Sequence, residues 1–266
     1  MIDNENPLVL ISGLAAGEKI FLRQVEAFKN VLTVPWLDVA PKETLDEYAE
    51  RLAKMIASRI GRGTPCYVAG LSLGGMLAPM VASHLNVKAC ILIASIRKPS
   101  EFPNRHRLFY HLCRYLTPVT TTAHFFLKNV LFFLMPFIRR YRSPERVVIL
   151  EQVRDCKSRL FARQLRMLFT WALDPSSWRS DHERDIRERY DFPVYHIHGG
   201  KDRVLPASRT TPDQIIPDGR HVLPLYCAEE VNRFIADVMG INTENVLFDV
   251  ASATQETGAD GVNQCK

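Results

Sequence analysis

Cys66-Tyr67-Val68-Ala69-Gly70-Leu71-Ser72-Leu73-Gly74-Gly75 passes from an apolar run through a turn of small residues into a helical pattern at 76–84. A short apolar run closed by glycine reads as a buried strand. Gly-x-Ser-x-Gly between such a strand and a helix is the context in which a serine is held out above a sheet on a sharp turn. Small residues at 70 and 74 let strand and helix approach closely around Ser72. A phosphate-cradling turn is the competing reading. It is disfavoured because both the Gly-Lys-Ser/Thr end of a P-loop and the Gly-x-Gly-x-x-Gly spacing are missing.

Outward from this turn, short apolar runs alternate with helical patterns, which predicts βαβ units and a mostly parallel, doubly wound α/β sheet. Strands are expected at 7–12, 32–36, 66–69, 87–94, 193–198 and 213–216, with Pro35 placing the second at an edge. Helices are expected at 18–28, from Thr44 to 57, at 76–84 and at 228–239. Thr44 with Glu47 three residues on forms a capping box. Residues 96–190 hold no convincing strand and read as helices at 109–116, 125–141, a Ser143-Pro144 start into 147–156, and 158–173, the last stopped by Asp174-Pro175. The expected organisation is therefore a core of residues 1–95 and 191–240, a helical cap inserted at 96–190, and a partly flexible C-terminal tail at 241–266.

The chain has 266 residues, 47% hydrophobic and 24% charged, with a formal charge of +5. That composition excludes a disordered or collagen-like chain, and the mild basic balance does not indicate a nucleic-acid partner. Residues 96–190 carry 16 Arg and 3 Lys against 9 acids, so the basic excess belongs to the insert. An Arg-rich cap is either an ordinary solvated face or one turned to an anionic substrate, partner or lipid surface. The longest apolar stretch, 123–138, carries Lys128 and is shorter than the roughly 20 residues a membrane span needs. The acidic N-terminus does not read as a signal peptide. Six well-separated cysteines argue against a disulfide framework and for a reducing, cytoplasmic setting. No histidine pairs with carboxylates in a ligand pattern, so no metal site is read.

A serine is a weak nucleophile and needs a base that is itself oriented by an acid. After the fifth strand comes His198-Gly199-Gly200-Lys201-Asp202-Arg203-Val204-Leu205-Pro206, and after the sixth comes Pro217-Asp218-Gly219-Arg220-His221. Asp202 and His221 thus follow the carboxyl ends of strands, on the rim that carries Ser72, in the chain order Ser, acid, His. Singly, Asp202 reads as a turn former and His221 as a surface residue; as an ordered triple they read as a catalytic triad. Of the other histidines, His196 reads as a strand residue and His198 as locally hydrogen-bonded. Two backbone donors for an oxyanion are expected from the N–H of Leu73 and from the loop Ser12-Gly13-Leu14-Ala15-Ala16-Gly17, at Leu14.

On these three motifs the chain resembles the α/β-hydrolase superfamily, over about residues 7–95 and 190–240, with 96–190 in the place of that family's variable helical cap. The resemblance implies a cofactor-independent serine hydrolase: an esterase, lipase or thioesterase, or else a lactonase, C–C hydrolase or lyase on the same triad. A non-catalytic binding protein of the same fold is the alternative outside enzymes. The chain departs from the family where Ser12 replaces the frequent histidine of the oxyanion motif. It departs again where Leu71 replaces a frequent histidine, and in having no hairpin ahead of the first parallel strand. An apolar acyl group of small to medium size is the expected substrate, with Phe125, Phe126, Phe132, Phe133 and Phe137 of the cap as its expected contacts.

Overall fold

The structure is a computed structural model describing residues 1–103, 121–127, 129–130, 144–174 and 183–242. Six strands among these residues form one sheet: β1 (Leu8–Ile11), β2 (Val31–Val34), β3 (Cys66–Leu71), β4 (Val87–Ile93), β5 (Val194–Gly199) and β6 (Gln214–Ile216). Every neighbouring pair is parallel, in the order β2-β1-β3-β4-β5-β6. β1 and β3 are buried throughout, which is why they read as unbroken apolar runs rather than as alternation. Successive side chains still point to opposite faces. Val9, Ile11, Val68 and Leu92 pack with Tyr48, Leu52 and Leu77, whereas Leu8, Leu10, Ile91 and Ile93 pack with Phe21, Val231 and Ile235.

Helices α1 (Leu22–Ala27), α2 (Leu45–Ile60), α3 (Leu73–Ala82), α4 (Pro144–Asp155), α5 (Ser158–Leu173), α6 (Ile186–Arg189), α7 (Leu223–Tyr226) and α8 (Ala228–Val238) cover the sheet and its upper rim. Both halves of the capping box form at α2: Glu47 N–H donates to Thr44 Oγ1 at 3.2 Å, and Thr44 N–H donates to the Glu47 carboxylate at 2.8 Å. β2 lies at the sheet edge and stops before Pro35, which has no N–H to extend a ladder. Two helices begin differently from expectation. The first helix is a 3-10 turn at Glu18–Phe21 running into α1, and α3 starts at Leu73, three residues early, because the turn at Ser72 opens directly into the helix.

In the insert, α5 spans the expected 158–173, and α4 starts at Pro144, the expected start and a favoured first helical residue. Residues 121–127 and 129–130 are helical; the helix expected at 109–116 lies outside the described residues, as does the tail from 243 on. Arg97 is buried and ties the two ends of the insert together. Its backbone N–H donates to Glu101 Oε2 at 2.8 Å, its guanidinium reaches Asp185 at 3.1 Å, and it also bonds Thr211. Such a cluster tolerates loss of no single member well, because the remaining charge would stay buried. Cys66 and Cys90 are free thiols, whereas Cys227 is disulfide-bonded. Sequence spacing could not show that link, because pairing depends on distance in the fold. Among the described residues, no helix is long and apolar enough to cross a membrane.

Candidate active site

β1 and β3 are neighbours, with Leu10 beside Ala69 and Ile11 beside Gly70. β2 lies outside β1 and β4 outside β3, so the strand order reverses between them. At such a switch point the loops leaving the carboxyl ends diverge and open a crevice. The loop at 12–17 forms one wall of it, and the turn at Ser72 the other.

Ser72 has φ 55° and ψ −117°, a left-handed conformation costly for a residue with a side chain. The surroundings enforce it. A Cβ at Gly74 would collide with the carbonyl oxygens of Ile11 and Ser12, and one at Gly70 with the backbone of Gly74. Only glycine lets the strand, the turn and the neighbouring loop come this close. Ser72 N–H donates to Ile93 O at 3.0 Å, and the Ser95 hydroxyl donates to Ser72 O at 2.8 Å, so the backbone of the turn is fixed from β4.

His221 Nε2 lies 2.9 Å from Ser72 Oγ, and its Nδ1 lies 2.7 Å from Asp202 Oδ2. The structure therefore brings together all three residues that the sequence singled out. The loops carrying Asp202 and His221 are joined by Gly200 N–H to Ile216 O at 2.8 Å and Lys201 N–H to Gly219 O at 2.9 Å. Asp202 is buried, and its Oδ1 accepts from the N–H groups of Val204 and Leu205 at 2.7 and 3.0 Å. Burial pushes this carboxyl up, but hydrogen bonds from His198, His221 and the Leu205 N–H outweigh it. The group is held well below the usual carboxylate range. An ionised Asp202 only accepts, so Nδ1–H of a neutral His221 donates to it, leaving the Nε2 lone pair for the Ser72 hydroxyl.

A carboxyl whose folded-state pKa is depressed stabilises the fold above its unfolded pKa of about 4, and that contribution is lost as pH falls toward the folded value. The melting temperature of wild type should therefore drop more between pH 6 and pH 3 than that of Asp202→Asn. Parallel melting curves in that range check this; equal slopes would mean that Asp202 titrates as an ordinary carboxylate.

His198 lies at the end of β5, fully buried. Its Nε2 is 2.7 Å from Leu205 O and 3.4 Å from Asp202 Oδ2, and its Nδ1 is 3.0 Å from His196 Nε2. Burial, followed by the charges of His198, Arg97 and Arg187, holds His196 well below its ordinary pKa, so it is neutral. The contact of His198 with the acid depends on the 202 loop folding back over β5. Alternation along the strand puts 196 and 198 on one face but does not show that return.

Leu73 is the first residue of α3, so its N–H has no acceptor within the helix. Leu14 lines the same cavity as Ser72 and His221. Ser12, in the place of the family's frequent histidine, is buried and donates its hydroxyl to Ala16 O at 2.8 Å, while Gly13 O accepts from Trp36 Nε1 at 3.2 Å. The second observation explains the half-buried Trp36 just beyond β2, which the sequence did not single out.

The crevice opens into a cavity of about 620 Å³ between the rim and the insert. Its far wall is apolar and includes Phe102, Leu127, Phe161, Leu165, Leu168 and Phe169. Among the described residues, none that lines it is Lys or Arg. Phe125 and Phe126 do not line it and are 52% and 64% exposed, which corrects the expectation for these two. His124 and Leu127, three apart on the helix, take the inward face, and the residues between them fall outside it. Phe132, Phe133 and Phe137 lie outside the described residues. His124 is buried against the cavity, stacked on Phe161 at 4.5 Å between ring centres, with its nitrogens 3.0 Å from Ser158 Oγ and 3.2 Å from Val153 O. Among the described residues no group of His, Cys, Asp and Glu could hold a metal ion.

Among curated proteins, none matches the sequence. Solved structures do match in fold. A hydrolase from Pseudomonas aeruginosa PA01 is 14% identical, with 88% of this chain and 90% of that one covered and a TM-score of 0.63. A bromoperoxidase from Bacillus anthracis is 15% identical, covering 90% and 93% with a TM-score of 0.60, and MenH from S. aureus is 15% identical, covering 88% and 93% with a TM-score of 0.59. Over residues 8–234 the sequence matches the model of the alpha/beta hydrolase family, and the chain belongs to that family.

Proposed function

We propose that the protein is a serine hydrolase that cleaves an ester or thioester with a small to medium apolar acyl group, by way of an acyl-enzyme. The observation that carries this reading is the unbroken chain Asp202–His221–Ser72 opening onto a large apolar cavity. The residues at 96–190 act as the cap that covers it.

The acyl part lies against Phe161, Leu165 and Leu168, with its carbonyl carbon at Ser72 Oγ. As Oγ attacks, His221 Nε2 takes its proton, and Asp202 stabilises the imidazolium that forms. The N–H groups of Leu73 and Leu14 receive the negative charge developing on the carbonyl oxygen. His221 then protonates the leaving oxygen or sulfur, which departs as alcohol or thiol. A water activated by His221 attacks the acyl-enzyme and releases the acid, returning the proton to Ser72.

The reading is tested with p-nitrophenyl esters of increasing acyl length, with acyl-CoA thioesters alongside. Turnover should favour apolar chains that the cavity can enclose, and no turnover on any of them would contradict it. Removal of a ring from the wall should be felt in the same series. Phe161→Ala should raise KM for the best substrate by about tenfold or shift the optimum to longer chains, since one to two kcal/mol of apolar contact is lost. Phe125→Ala and Phe126→Ala should leave the profile where it is. A profile indifferent to Phe161 would place the acyl group elsewhere.

A further inference from the structure

We propose that Gln164 of α5 and Gln152 of α4 position the loop that supplies the Leu14 donor, which makes the insert part of the oxyanion machinery as well as a wall for the acyl chain. This rests on the serine hydrolase reading above and on Leu14 as a donor. Ala15, directly after Leu14, sits at φ 56°, a left-handed conformation unfavourable for alanine, and its N–H donates to Gln164 Oε1 at 3.2 Å. Two residues on, Gly17 N–H donates to Gln152 Oε1 at 2.6 Å. The loop also bonds within itself, Ser12 hydroxyl to Ala16 O and Ala16 N–H to Gly13 O, and accepts from Trp36 Nε1 at Gly13 O and from Ile20 N–H at Gly17 O. The two N–H groups flanking Ala16 are thus taken up from the insert, 149 and 135 residues away in sequence.

Packing does not account for Gln164. It is 0% exposed on the apolar face of α5, between Ala162, Leu165 and Leu168, where a leucine would bury more favourably. Among the described residues its Nε2 has no hydrogen-bond partner, so a buried amide is tolerated there with its oxygen bonded. Gln152 is likewise the uncharged amide in an otherwise largely apolar wall. Both oxygens point at backbone donors of the one loop whose placement the reaction depends on, and a displacement of that loop by a fraction of an ångström weakens a donor aimed at developing charge.

The test uses the full chain with Gln164→Leu, which keeps bulk and removes the acceptor, and Gln164→Glu, which keeps an acceptor oxygen; Gln152→Met and Gln152→Glu form the second pair. In Gln164→Leu, kcat on the preferred p-nitrophenyl ester should fall about tenfold or more with KM changed less than about twofold. The affinity for a trifluoromethyl ketone of the same acyl chain should fall with kcat/KM, and Gln164→Glu should recover much of both. Hydrogen exchange across 12–17 should quicken in Gln164→Leu while peptides from β3 and β4 keep their rates. If Gln164→Leu does not fold, the Gln152 pair gives the same readouts. Wild-type kcat and unchanged exchange at 12–17 in the leucine variant would overturn the inference while leaving the serine hydrolase reading standing. A wild-type protein that neither turns over esters nor reacts with a fluorophosphonate at Ser72 would overturn both.

Discussion

Alanine at Ser72 should lower kcat on any ester the protein accepts by about a thousandfold or more, with the melting temperature within a few degrees of wild type. The two halves of this expectation have separate causes. In the proposed mechanism the hydroxyl attacks the acyl carbon, and it stands 2.9 Å from His221 Nε2. The turn, by contrast, is held by Ser72 N–H on Ile93 and by Ser95 on Ser72 O, bonds that alanine keeps. A variant that stays folded and retains more than about one per cent of activity would remove Ser72 from the role of nucleophile.

The second large effect is expected at Asp202. In Asp202→Asn the side-chain oxygen can still accept from Val204 and Leu205, so the loop should keep its shape. The atom facing His221 Nδ1 becomes an NH₂ group, which donates. The imidazole then has to turn its lone pair toward residue 202 and its N–H toward Ser72, the wrong way round for taking a proton. In serine hydrolases of other folds this exchange costs about ten-thousandfold, and a loss of about a thousandfold or more in kcat is expected. A loss below tenfold would mean that another group orients His221. His198, 3.4 Å from the same carboxylate, would then be the first place to look.

Much of this site was readable in the sequence because each part is a short, local signal. The turn at Ser72 needs only a strand, three small residues and a helix. Asp202 and His221 were readable because both stand where a strand has just ended. The register between β1 and β3 then turns two local motifs, 12–17 and 70–75, into facing walls of one crevice. The insert was less legible for a physical reason. Helical periodicity gives an apolar face but not what that face meets, so Phe125 and Phe126 could not be told from His124 and Leu127, which take the wall. Gln164 broke the apolar stripe of α5 without showing its partner, because the donor it meets is 149 residues away. The contact of His198 with Asp202 is hidden in the same way, made by a fold-back that no local pattern records.

Hydrolysis by the proposed route requires Ser72 to be an activated nucleophile, and one measurement addresses that directly. The protein is treated with an alkyl fluorophosphonate at neutral pH, and the adduct is located by peptide mass mapping. One phosphonyl group per chain on Ser72 is expected, with labelling suppressed in His221→Ala and competed by the preferred ester. An unmodified Ser72 in folded wild-type protein, or a label that settles on another residue, would contradict the account.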